Sequence, residues 1–452
     1  MSSRLRGNAK RALVFAEYFP AYKGSDRRLF HLIDGVQRIG LKVVVTPPLR
    51  VLTGRCEDVL KPYIEPFFPP SKTRVVHGFE CTYLSLPRFL HRCFRGRVPL
   101  QLSYLLALMY LTVQALRIVK REKPDLVVLG HPSYITGVVG AITAKLLRIP
   151  ILLDYPDAWT PLAMETANLK PGRLSRLLAK IESLVARSAD RIVSVTDVLA
   201  SYIRKLGVTA PIVTIPNGAD VKHFSPLEVA EAPRTGHPFR ILYAGRLESW
   251  AGVDDMVEVV KNVSDRFGDE IRFIFVGDGG AATRFRGDIE SRGLMRYCNF
   301  AGSQPYKLMP RFIEECDLAI LPFPNTVTAS LSSPLKLFEY LAMKKPVIAT
   351  DIAGVREAVS SDHVILIEDI TDPRLIDHIL DLLRSPERCA AMGNGGRRLV
   401  LQYFSWNRLA QGFEREMFLT LGEEYPLAQA ALEAGDERRE ADLYDGAATK
   451  SA

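Results

Sequence analysis

Cysteine is scarce in this 452-residue chain and never paired in a useful way. The six cysteines, at 56, 81, 93, 298, 316 and 389, show neither CxxC nor CxxH spacing. That excludes a disulfide framework and a zinc site, and it fits reduced core thiols of a cytosolic protein. No glycine-rich turn is followed by GK[ST], so there is no Walker loop, and no GxGxxG dinucleotide fingerprint occurs. No basic segment interleaves with aromatic residues as a nucleic-acid surface would. Acidic residues do not cluster at any strand end, so no metal site is expected. Internal repeats of short period are absent. The first residues, MSSRLRGNAKRALVFAEYF, are basic and then apolar, but the apolar part is too short for a signal peptide and reads as a first strand.

What is present belongs to a soluble globular protein: 47% hydrophobic and 24% charged residues, in a length that suits two domains with full cores. The formal charge of +8 points to an anionic partner such as phosphate or a lipid surface. Apolar β-rich runs alternate with helical patterns, from Ala12–Ala16 to Ile212–Ile215 in the first half and from Arg240–Ala244 to Val364–Ile367 in the second. Such alternation predicts parallel sheets covered on both faces, and two sets of it predict two doubly wound α/β domains. Ser225–Pro238, polar and proline-bearing, is the expected linker. The domains are then residues 1–224 and 225–402. An amphipathic segment, Tyr403–Leu421, follows within 403–422, and the Ala/Glu-rich tail 423–452 is expected to be unstructured. Val98–Val119 carries one charge, Arg117, and follows Arg88, Arg92, Arg95 and Arg97. Its interruptions by Pro99, Gln101, Ser103, Thr112 and Gln114 argue against a membrane span. A helix buried against the sheet is the first expectation and an interfacial helix with its arginines on anionic headgroups the second.

The stretch Ser332–Asp351, SSPLKLFEYLAMKKPVIATD, concentrates the chemistry. Ser332 or Ser333 is expected to cap a helix with Pro334 at its first position. Leu335, Phe338, Leu341 and Ala342 form its apolar stripe. Lys336 stands against the helix dipole, which makes sense if an anion sits at that end. Glu339 lies one turn deeper, placed to accept hydrogen bonds from a ribose; an ordinary amphipathic helix with two solvated charges is the competing reading. Strand-end loops elsewhere carry Gly24, His131, Asp154 with Asp157, Asn217-Gly218, Gly245-Arg246 and Gly277, and ligands of open α/β sheets bind at such ends.

Taken in order, FPAYKGSDRR, GHPS, TIPNGADVKHF, ILYAGRLESWAGVDD, FIFVGDG, DLAILPF and SSPLKLFEYLAMKKPVIATD resemble a retaining glycosyltransferase of family four, in the glycogen synthase and mannosyltransferase superfamily. The pieces span residues 12 to 405. The resemblance implies a GT-B fold, in which two Rossmann-like domains face each other across a cleft. It implies that Gly24 and Arg246 touch the donor diphosphate and that Glu339 holds the ribose. Asn217, Gly245, Gly277, Ser332, Ser333, Leu335 and Lys336 complete the implied donor site. His131 would meet the donor sugar and could share the acceptor hydroxyl. Asp154 and Asp157, read from their place after a strand and not from the resemblance, could bind an acceptor hydroxyl on the acceptor side or merely cap the next segment. Tyr403–Leu421 would cross back onto the first domain. No cofactor or metal is implied beyond the nucleotide sugar. The form SPLKLFEYLA resembles enzymes of cell-surface polysaccharide and lipid-linked sugar assembly, which implies a cytoplasmic enzyme, peripheral on the inner face of the plasma membrane.

Three positions depart from the family pattern, one of them in the first loop, where Lys23 precedes Gly24 and two glycines are common. Leu331 stands where the signature has its first glutamate, so a sugar contact is lost or passes to Ser330 or Ser332. Ala251 stands where a lysine is usual, and Lys336 is expected to supply part of that charge. Leu331 and Ala251 keep open a non-catalytic binding or scaffold subunit. A nucleotide-sugar 2-epimerase of the same fold is a further alternative, although its acid–base set cannot be assembled from this sequence.

Overall fold

The computed structural model describes residues 10–17, 19, 24–47, 73–87, 90, 99–131, 133–166, 170–226 and 238–426. Most of the linker, the tail beyond 426, and Arg88, Arg92, Arg95 and Arg97 lie outside them.

Eight strands build the first sheet: β1 Arg11–Ala16, β2 Gly40–Val45, β3 Thr73–Val76, β4 Phe79–Tyr83, β5 Leu126–Leu129, β6 Ile151–Tyr155, β7 Arg191–Ser194 and β8 Ile212–Thr214. Their order is β3-β4-β2-β1-β5-β6-β7-β8. All neighbouring pairs are parallel except β3 with β4. That hairpin was not legible as such. It turns on His77 and Gly78, both at positive φ, as a two-residue turn between right-twisted strands requires.

One face of this sheet carries helices α2 (Leu100–Glu122), α3 (Thr136–Leu147), α5 (Arg173–Ser188) and α6 (Asp197–Lys205); α1 (Gly24–Asp34) covers the other, and the short α4 (Trp159–Thr166) follows β6.

The second sheet has six strands: β9 Phe239–Ala244, β10 Ile271–Val276, β11 Cys298–Gly302, β12 Leu318–Leu321, β13 Val347–Thr350 and β14 Ile365–Ile367. They run in the order β11-β10-β9-β12-β13-β14. Helices α7 (Met256–Phe267), α8 (Ala282–Ser291) and α13 (Arg374–Arg384) pack on one face. On the other lie α9 (Met309–Glu315), α11 (Leu335–Ala342), α12 (Ala353–Arg356) and α14 (Pro386–Tyr403), with α10 (Val327–Leu331) leading into α11.

In the first sheet the order in which strands are added reverses between β1 and β5, and in the second between β9 and β12. These are the switch points where loops splay apart and open a crevice. The loops bearing Gly24, His131 and Gly245-Arg246 are therefore the ones that the topology aims at a ligand.

The chain returns to the first domain at Ser405, which pairs with Ala219. Helix α15 (Trp406–Thr420) then packs on α1. Its Glu414 accepts the backbone N–H groups of Gln37 and Arg38 at 2.8 and 2.6 Å, and Glu416 pairs with Arg191 at 2.7 Å.

His31 of α1 stacks flat on Trp406 with ring centres 5.1 Å apart. Burial pushes its pKa down to about 4 from 6.5. The folded protein therefore keeps His31 neutral while the unfolded chain protonates below 6.5. Stability should fall as pH drops from about 6.5 towards about 4, by about 3 kcal/mol at most. Denaturant titrations of wild type and His31→Phe across this window check it, the variant being expected to lose most of the slope.

Candidate active site

Helix α11 differs from its sequence reading at both its cap and its stripe. It begins at Leu335 with Pro334 in the capping position, and no side chain caps it. Ser332 instead donates to the Ala329 carbonyl at 2.9 Å, closing α10. Residues Leu337 to Ala342 are all buried, so the helix is enclosed almost all round. Only Leu335 leans the other way, onto the core of the first domain.

Lys336 bends back over the end of β9. Its Nζ sits 4.5 Å above the Tyr243 ring and 3.4 Å from the Tyr243 hydroxyl. That hydroxyl donates to the Arg246 carbonyl at 2.6 Å. Gly245, at φ +152°, makes room for the lysine: a Cβ there would overlap the ammonium group. Gly277, at φ +140°, lies so close to the Gly245 carbonyl that it too excludes a side chain. Tyr340 pins the same strand end, accepting the Ala244 N–H at 2.9 Å. Lys336, Gly245, Gly277 and the Arg246 backbone thus form one cradle. The Arg246 guanidinium engages Glu248 at 2.6 Å and is nearly half exposed.

Desolvation lowers the Lys336 pKa to about 8, opposed by Glu339. Burial raises that of Glu339 to about 7, opposed by the Tyr306 hydrogen bond, Arg27 and Lys336. The Tyr306 hydroxyl donates to Glu339 at 2.9 Å. Arg27, from α1 of the first domain, lies 3.5 Å over the Tyr306 ring, so the two domains meet directly beside the carboxylate. Tyr243, Tyr306 and Arg27 were missed from sequence. Tyr243 and Arg27 sit inside quoted motifs, but nothing in their spacing marks them.

Three assignments are corrected by geometry. Asp154 is fully buried, and both its oxygens accept from Arg28 at 2.9–3.1 Å; it cannot face an acceptor. Asn217 gives its side-chain amide to the Ser333 carbonyl at 2.6 Å and accepts from Arg28 at 3.3 Å. The Ser333 hydroxyl accepts the Asn217 N–H at 3.4 Å. Asn217 and Ser333 therefore brace the α11 segment against the first domain instead of reaching a donor.

Replacing Arg28 with leucine would strand the Asp154 carboxylate, at a cost of about 3–5 kcal/mol. Chemical denaturation measures this, and the double variant Arg28→Leu/Asp154→Leu should recover much of the loss.

Leu331 also has a structural role: it is buried in the core of the first domain, and its carbonyl accepts from Thr196 at 3.2 Å. The contact is apolar and crosses between domains, so the departure from glutamate exchanges a polar contact for adhesion. Glu357 adds to it by accepting the N–H groups of Asp197 and Val198 at 2.7 and 3.0 Å, at the start of α6. Ala251 is buried.

His131 follows β5, is buried, and meets Trp159 edge to face at 5.5 Å. Glu182 fixes the Trp159 loop by accepting the Trp159 and Thr160 N–H groups at 2.9 and 3.0 Å. The Trp159 indole N–H is buried with no acceptor among the described residues. Asp157, partly exposed, stands in the same loop. Gly24 opens α1.

Two family models match the chain in succession: a glycosyl transferase 4-like domain over residues 23–218 and glycosyl transferases group 1 over residues 227–399. The chain belongs to the family-four type of GT-B glycosyltransferases. Among curated relatives of this type is the GDP-mannose-dependent alpha-(1-6)-phosphatidylinositol monomannoside mannosyltransferase of Mycobacterium tuberculosis. It is 26% identical over 313 residues, which are 63% of this chain and 81% of the relative. The putative teichuronic acid biosynthesis glycosyltransferase TuaC of Bacillus subtilis is 24% identical over 79% of this chain and 85% of its own. Anabaena HepE, solved in complex with UDP, shares the GT-B fold with TM-score 0.64 at 15% identity, covering 89% of this chain and 98% of that one.

Proposed function

We propose that this GT-B glycosyltransferase moves a hexose from a nucleoside diphosphate sugar to an acceptor hydroxyl with retention of the anomeric configuration and without a metal ion. The observation that carries the reading is the cradle of Lys336, Gly245 and Gly277 with Glu339 one turn away. A lysine at an uncapped helix start, above a strand end stripped of side chains, fits a diphosphate. The buried Glu339 fits ribose hydroxyls. As the sugar C1–O bond breaks, the electron pair leaves with the diphosphate, where Lys336 and the α11 N–H groups stabilise it, with Arg246 at the rim. The acceptor oxygen bonds to C1 from the same face, and its proton passes to the departing phosphate oxygen. His131 and the Trp159 N–H hold the sugar in this reading.

The acceptor in this reading is lipid-linked, or a cell-surface polysaccharide precursor, and the enzyme sits on the cytoplasmic face of the membrane. The mycobacterial relative, named for a phosphatidylinositol acceptor, and the basic character of the chain support this.

Incubation with a panel of UDP- and GDP-sugars and membrane lipid extract, followed by NMR of the product, tests the reaction. An α-donor is expected to give an α-linked product. A β-linkage would refute retention, and nucleoside diphosphate release from no donor would refute transfer.

A further inference from the structure

The helices on one face of the first sheet turn an apolar surface to solvent. Helices α2, α3 and α5 lie side by side there on a shared core. On α2, Leu102, Leu105, Met109 and Val113 are all exposed, and their three- and four-residue spacing puts them in one stripe. Arg117 and Arg121 continue that stripe in four-residue steps. Ile142 and Leu146 on α3 and Leu177 and Leu184 on α5 extend the surface across the layer. Met109 and Leu146 are 59% and 64% exposed. Single side chains of this kind are ordinary on surfaces, but a set spread over three adjacent helices marks an interaction site.

Charge decides the partner. These three helices carry eight basic side chains and two carboxylates. Both carboxylates are already engaged. Glu182 is buried under the α4 start, and Glu122 pairs with Lys42 and with Arg121, each at 2.7 Å. Lys145 pairs with Asp190 at 3.5 Å, which leaves Arg117, Lys120 and the four cations of α5 to set the sign of the face. A second copy of the chain would oppose like charges across the contact. A bilayer with anionic headgroups offers both what the leucines and what the cations require. An 18-residue window within the helix from Gln101 to Glu122 has a mean hydropathy of 1.6. It cannot leave the domain to span it, because Ala107, Leu111 and Ala115 on its inner face are fully buried in the core.

We infer that the outer face of α2, α3 and α5 docks this protein on an anionic lipid leaflet. The leucines and Met109 enter the interface, and the arginines and lysines meet headgroup phosphate. The surface adjoins the proposed active site: Tyr104, next to Leu105, donates its hydroxyl to the Tyr134 carbonyl in the loop after His131. Docking would therefore bring the cleft beside a lipid-linked acceptor. The inference draws its purpose from the proposed function, whereas the docking itself needs no catalysis.

Vesicle flotation of the full chain tests it, using phosphatidylcholine with and without phosphatidylglycerol. Wild type should float with the anionic vesicles, weakly with the neutral ones, and less as salt rises. The double variant Met109→Glu/Leu177→Glu should lose roughly tenfold or more in partitioning. Arg176→Glu/Lys180→Glu, which leaves the apolar stripe intact, should lose the preference for phosphatidylglycerol. Binding of UDP or GDP to each variant shows that its site survives. Wild type that stays unbound, floats equally with neutral vesicles, or is matched by both variants would overturn the inference. So would a dimer in light scattering that Met109→Glu dissolves, which would give the face to a second copy. Intact anionic flotation without sugar transfer would count against the enzymatic reading alone.

Discussion

Methionine in place of Lys336 should lower kcat by about 10²–10³-fold while leaving the fold intact. The substitution keeps an unbranched apolar side chain of similar length and removes the ammonium group, which lies over the Tyr243 and Phe323 rings. In the proposed mechanism that charge faces the departing diphosphate as it gathers its own, in a desolvated pocket where an ion is worth more than in water. Because the interaction strengthens as the bond breaks, kcat should fall further than KM rises. Arg246→Ala should cost less, since its guanidinium is partly exposed and already paired with Glu248. Steady-state kinetics on both variants provide the check; a Lys336→Met enzyme with unchanged kcat would remove the lysine from the mechanism.

The second large effect is on pH. Under the proposed roles, the competent free enzyme needs Glu339 ionised to accept ribose hydroxyls and Lys336 protonated to hold phosphate. Glu339 ionises near 7 and Lys336 loses its proton near 8. The kcat/KM for donor should therefore rise as pH climbs through about 7 and fall beyond about 8, giving a narrow maximum between the two. Glu339→Gln should abolish the acid limb and lower the maximum by roughly 10- to 100-fold through lost charged hydrogen bonds. In Tyr306→Phe the carboxylate loses a bond that favours its ionised form, so the acid limb should move to higher pH. A flat profile between 6 and 9, or an acid limb unmoved in Tyr306→Phe, would contradict this pairing.

The fold was readable because parallel strands buried on both faces appear as continuous apolar runs, and the runs read from sequence became strands within a few residues. The antiparallel strand β3 escaped because Thr73–Val76 is short and largely exposed at the sheet edge, so it carries no such signal. Within the site, Lys336, Gly245 and Gly277 could be picked out because each breaks a local preference: a cation at a helix start, and glycines at strand ends. Asp154 and Asn217 were misjudged for one reason. Their partner, Arg28, is 126 residues from the first and 189 from the second, and no local pattern distinguishes a strand-end aspartate that binds ligand from one that neutralises a buried arginine. Leu331 could be seen as a departure from the family signature, but its role in holding the domains together depends on contacts that only the assembled chain supplies.

The most direct measurement is calorimetric binding of nucleoside, nucleoside monophosphate and nucleoside diphosphate to wild type, Lys336→Met and Glu339→Gln. If the cradle grips a pyrophosphate, the diphosphate should bind wild type most tightly. Lys336→Met should erase that advantage, and Glu339→Gln should weaken all three ligands alike. Equal affinity for nucleoside and diphosphate, or a diphosphate preference that survives in Lys336→Met, would contradict it.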